Sequence, residues 1–136
     1  SSRRRHTRYI SVTGVQTCAL PICHQRLAKA CRAAVTAWGL EIQCRDPELY
    51  SPVLTGVVVP EGFDADQLRK LILERYNLSL GTGLGKVKGK IFRIGHLGDC
   101  NELSLLAALS GCEMGMRAFG IPLKDSGVLA AQEALM

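Results

Sequence analysis

Arg93 stands in the middle of the apolar run Ile91-Phe92-Arg93-Ile94-Gly95. A guanidinium inside such a strand costs desolvation unless an anion meets it. The anion is either a carboxylate of the fold itself or a bound ligand, and spacing alone leaves both open. The planar fork of arginine pairs bidentately with a carboxylate, which suits a substrate bearing an α-carboxylate. A second feature lies just upstream, in Gly81-Thr82-Gly83-Leu84-Gly85-Lys86. Glycines let backbone amides approach an anion, yet this run fails both phosphate-binding patterns. A P-loop requires glycine where Leu80 stands and Ser or Thr where Val87 stands, and the dinucleotide fingerprint requires glycine in place of Lys86. The run therefore reads as a flexible turn between strands, with Gly81, Thr82 and Gly83 as candidate residues bordering an active site. His96, with Asp99 and Cys100 close by, could suggest acid–base or metal chemistry. Neither His24 nor His96 has a partner at ligand spacing, so no metal site is assigned and His96 reads as a hydrogen-bonded structural residue. Cys100 and Cys112 have no evident histidine base, which leaves nucleophilic catalysis unsupported.

The elements that would position these residues are an alternation of strands and helices. His24–Trp38 has Leu27, Ala30, Ala34 and Trp38 at helical spacing and ends at Gly39. Leu40–Cys44 reads as a short strand, and Val53–Val59, dense in β-branched residues, as a buried one. Asp64 is placed to cap a helix through Leu68, Leu71, Ile72 and Tyr76. Leu78–Leu80 reads as an edge strand before the glycine turn. In the strand Lys90–Ile94, Phe92 and Ile94 share one face and Ile91 and Arg93 the other. Asn101–Phe119 is a long apolar helix in which Met114, Met116 and Phe119 serve packing, and Ser126–Leu135 is a weaker terminal helix. The expected class is α+β: a short antiparallel or mixed sheet covered by helices on one side.

Composition at first points elsewhere. The net charge of +5 invites a nucleic-acid or anionic-membrane partner, but Arg3, Arg4, Arg5 and Arg8 supply four of those charges and leave +1 for the rest. These arginines fall in a segment, residues 1–22, that resembles a translated sequencing adapter. Ser2–Arg8 reads back into the flow-cell end of a common short-read adapter, and Val12–Ile22 into its adjoining read-primer part in the same frame. Tyr9, Ile10 and Ser11 fall where a sample index would sit. The expectation is that 1–22 is non-native and disordered, and that the natural chain runs from Cys23 or His24 with its own start lost. The remaining stretch of about 114 residues suits one modest domain. No nucleic-acid or membrane partner is expected. The five cysteines outside that segment include no CxxC pair, which suggests reduced thiols and a cytoplasmic setting.

The run from Gly83 to Asp99, with Phe92-Arg93-Ile94-Gly95-His96-Leu97-Gly98 as its most specific part, followed by Asn101-Glu102-Leu103, resembles the C-terminal domain of the class V aminotransferases. The resemblance is to the serine–glyoxylate aminotransferase group, with alanine–glyoxylate aminotransferase as a near relative. Ala37-Trp38-Gly39-Leu40, Tyr50–Val57, Gly111–Gly115 and Ser126-Gly127-Val128 support it. It implies the small domain, residues 23–136, of a dimeric fold-type I enzyme that uses pyridoxal 5'-phosphate. The Schiff-base lysine and most phosphate contacts would lie on a large domain that this chain does not include. The implied reaction moves an amino group from serine or a similar amino acid to a 2-oxo acid, glyoxylate. By the same resemblance Arg93 matches the arginine that clamps the substrate α-carboxylate, the glycine turn borders the active-site entrance, and no lysine here matches the Schiff-base position. The alternatives are an alanine–glyoxylate or other class V transaminase, or a free-standing carboxylate-binding module.

Overall fold

The computed structural model describes residues 21–136. The expectation for the first segment falls mostly outside these residues, but its last two are described and are helical. Helix α1 spans Pro21–Trp38, three residues longer at its start than the periodicity indicated. Proline suits a first helical turn because its φ is already set and its missing N–H has no intrahelical acceptor to lose. One stripe of α1 is buried, formed by Leu27, Ala30, Cys31, Ala34, Val35 and Trp38. The helix stops at Gly39, where φ is +78° and the amide turns back to the Thr36 carbonyl.

Four strands follow: β1 (Glu41–Ile42), β2 (Leu54–Val58), β3 (Gly81–Thr82) and β4 (Ile91–Gly95). They form one sheet in the order β1-β2-β4-β3, antiparallel throughout. Helix α2 (Ala65–Tyr76) connects β2 to β3, and α3 (Glu102–Phe119) and α4 (Gly127–Leu135) close the chain. Asp64 caps α2 by accepting from the amides of Asp66 and Gln67, and Asn77 ends it in the left-handed region. Asn101 and Ser104 form a reciprocal capping box on α3, and Ser126 caps α4. Thr55, Val57 and Val59 of the β2 segment and Phe92 and Ile94 of β4 point to the helices and are buried with α1, α2, α3 and α4 in one core. The α+β class and the single covered face are therefore both present.

The strands expected at Val53–Val59 and Lys90–Ile94 shift by one residue at each end, and two others depart further. The strand expected at Leu40–Cys44 contracts to Glu41–Ile42, and the one expected at Leu78–Leu80 moves on to Gly81–Thr82, so the first third of the supposed turn is strand. Leu80 is buried, and its carbonyl accepts from Arg69 Nε at 2.8 Å, which takes it out of the ladder. Among the described residues no helix is long and apolar enough to cross a membrane.

Candidate functional site

Arg93 sits at the centre of β4, and its cross-strand partners on both sides are glycines: Gly56 on β2 and Gly81 on β3. Directly opposed residues in an antiparallel sheet point to the same face, so the Arg93 side chain leaves the sheet on the face away from the helices with no side chain on either directly opposed residue. Gly81 is needed for this. A methyl group there would stand 3.0 Å from Arg93 Cβ and 3.1 Å from Nε, so the bare backbone lets the arginine lie across β3. On the other flank the Gln43 amide donates to the Gly56 carbonyl, and its side chain leans over Gly56.

Arg93 Nε is buried and has no hydrogen-bond acceptor, and among the described residues no carboxylate pairs with its guanidinium. The internal ion pair that spacing left open is thus not found among them. The geometry can accept a planar anion on a fork whose stem is already desolvated, which is where a charge-assisted pair is strongest.

The three candidate border residues separate. Gly81 lies beside Arg93. Thr82 pairs with Phe92 and so faces the helices, where its hydroxyl donates to Asp66 Oδ1 at 3.0 Å. Gly83 is buried, and a methyl group on it would stand 2.3 Å from the Val87 carbonyl oxygen, so its glycine serves close packing of the following 3-10 turn at Gly85–Val87. Only Gly81 therefore borders the arginine directly. Sequence reasoning missed Gly56, although a glycine within a β-branched run signals close approach.

His96 is fully buried. Its Nδ1 meets the Pro52 carbonyl at 3.1 Å and its Nε2 meets Thr55 Oγ1 at 2.9 Å. A carbonyl can only accept, which assigns the proton to Nδ1 and leaves Nε2 to accept from the hydroxyl. Burial lowers the pKa below the ordinary histidine value, the Pro52 contact opposing it, so the ring is a neutral structural element. Burial also pushes the Cys31 thiol up to about 11 and raises that of Cys112, which makes both inert. Cys23, Cys44 and Cys100 are half-buried.

A second buried polar centre had no forecast. Glu113 Oε2 accepts from Trp38 Nε1 at 2.9 Å, from the Gly127 amide at 2.9 Å and from the Val128 amide at 3.3 Å, and Oε1 accepts from Arg117 at 3.1 Å. Burial alone would push its carboxyl up, but these hydrogen bonds outweigh it and hold the pKa below the usual carboxylate value. A carboxylate so saturated has a structural task, tying α3 to α1 and to the positive end of α4.

All six lysines of the chain, Lys29, Lys70, Lys86, Lys88, Lys90 and Lys124, are solvent-exposed. A Schiff-base lysine works from a desolvated position or beside a second cation, so these residues do not fit pyridoxal phosphate and no step through that cofactor is assigned to them.

No protein-family model matches the chain. It is 49% identical over 111 residues to the L-aspartate–glyoxylate aminotransferase of Paracoccus denitrificans, covering 81% of this chain and 28% of that protein. It is 49% identical over 113 residues to the serine–glyoxylate aminotransferase of Methylorubrum extorquens, covering 82% of this chain and 28% of that protein. The crystal structure of the pyridoxamine–pyruvate aminotransferase of Mesorhizobium loti matches with a TM-score of 0.77 at 36% identity, over 82% of this chain and 29% of that one. The chain thus spans little more than a quarter of the length of the relatives it matches.

Proposed function

Because the chain belongs to the class V aminotransferases, as the counterpart of their C-terminal domain, we propose that the enzyme carrying it transfers an amino group from serine, or a similar amino acid, to glyoxylate, with Arg93 holding the substrate α-carboxylate. The observation that supports the assignment is a half-buried Arg93 between two glycines, with its Nε buried and without an acceptor. The fork binds the two carboxylate oxygens, Gly81 leaves room for its stem, and the rigid β4 backbone fixes its direction, so the substrate is oriented at its reacting carbon. Pyridoxal 5'-phosphate, held outside this chain, supplies the electron sink. The enzyme is expected to be a cytoplasmic homodimer. Relatives named for serine and for aspartate are equally similar, so aspartate is the second donor to test, with alanine the third.

The test grafts residues 23–136 in place of the matching C-terminal segment of the Methylorubrum relative and measures steady-state kinetics with each donor and glyoxylate. Arg93→Ala should lower kcat/KM by about 100-fold or more, since both affinity and alignment are lost. Arg93→Lys should recover little, because an ammonium lacks the fork. If Arg93→Ala leaves the kinetics intact while lowering the melting temperature sharply, Arg93 is structural and the reading is wrong.

A further inference from the structure

Gly81 gives Arg93 its room, yet it belongs to a strand of two residues at the edge of the sheet. So short a ladder does little to fix a backbone position. Both sequence neighbours of Gly81 are instead gripped from α2. Arg69 Nε donates to the Leu80 carbonyl at 2.8 Å, and the Thr82 hydroxyl donates to Asp66 Oδ1 at 3.0 Å. Arg69 Nη1 meets the same Asp66 oxygen at 3.0 Å, which closes the chain of contacts. Arg69 and Asp66 are 26% and 34% exposed, so as an ion pair they add little stability. What they do add is location: one hydrogen bond holds the Leu80–Gly81 peptide and the other holds the Thr82 side chain, so Gly81 is gripped from both sides.

We propose that Arg69, Asp66 and Thr82 are positioning residues for the Arg93–carboxylate contact, holding β3 at the distance at which the arginine lies flat over Gly81. This rests on the reading of Arg93 as the carboxylate clamp. None of the three touches the substrate, since the Thr82 side chain is on the opposite face of the sheet from Arg93. They act by keeping the guanidinium in register, where a displacement of about 1 Å is enough to cost roughly 100-fold in rate.

The grafted holoenzyme tests this through Thr82→Val, Thr82→Ser and Arg69→Lys, each with kinetics and a thermal melt. Thr82→Val should raise KM for the amino donor about tenfold, with a smaller change in kcat, because it relaxes binding geometry without removing a reacting group. Thr82→Ser keeps the hydroxyl and should return KM to the parent value. Arg69→Lys keeps the charge toward Asp66 but has no Nε–H for Leu80, and should raise KM like Thr82→Val. An unchanged KM in folded Thr82→Val or Arg69→Lys overturns the proposal, and so does a drop in melting temperature with no change in KM. If Thr82→Val does not fold, Arg69→Lys decides. Arg93→Ala run alongside separates the two ideas: intact kinetics there defeats the clamp itself, whereas crippled kinetics there with normal brace variants defeats only the positioning role.

Discussion

An arginine between two glycines joins two unfavourable choices in one row of a sheet. Each interior glycine weakens a strand by about 0.5–1 kcal/mol relative to alanine, and the buried, unpartnered Nε of the half-buried guanidinium adds its own cost. Where local rules are broken together without an internal partner, a ligand is the natural compensation. This gives a prediction for Gly81→Ala in the grafted enzyme. The new methyl group, 3.0 Å from Arg93 Cβ, forces the arginine aside, while alanine's better strand propensity offsets part of the crowding. KM for the amino donor should therefore rise about tenfold with the melting temperature nearly unchanged; a stability loss with an unaltered KM would show that Gly81 serves packing alone. Arg93 was legible in the sequence because an isolated charge in an apolar run has to be explained. Asp66 was not, since its contact with Thr82, 16 residues away, exists only once α2 has docked beside β3.

At the scale of elements, the start of α4 depends on a residue of α3. Glu113 takes the indole N–H of Trp38 and the first amides of α4, and Gly127 must be glycine because a methyl group there would stand 2.4 Å from Trp38 Nε1. The partners are unequal. Arg117 is 59% exposed and its contact is worth roughly 0.5 kcal/mol or less, whereas removing the carboxylate strands buried donors. Glu113→Ala should cost about 2–4 kcal/mol and Arg117→Ala almost nothing, read by denaturant unfolding of the described domain. The folded-state pKa of Glu113 is depressed, so its contribution is complete above its ordinary value of 4.5 and is lost as pH falls through the folded value. Equal losses in the two variants would contradict this ranking. Helix boundaries were legible because Asp64, Asn101 and Gly39 are local signals that act on their own first or last turn. The boundary of β3 was not, because a distant side chain decides which carbonyl joins the ladder.

At the scale of the whole molecule, the proposed function assigns binding and chemistry to different parts of the enzyme. The domain offers a rigid strand bearing one fork, and it spans only about 28% of the length of its curated relatives. The six lysines are exposed on its surface, whereas a Schiff-base lysine works from a desolvated position or beside a second cation. The resemblance around Arg93 already implies such a division, whereas the Glu113 centre that holds the helices together needed coordinates. The isolated chain should therefore show no transamination of serine, aspartate or alanine with glyoxylate. Borohydride treatment with pyridoxal phosphate should label its exposed lysines only in scattered, substoichiometric amounts, as peptide mapping by mass spectrometry would show. Stoichiometric labelling of one lysine accompanied by turnover would mean that the domain holds a complete catalytic site of its own, and the assignment of Arg93 as one half of a shared site would fall with it.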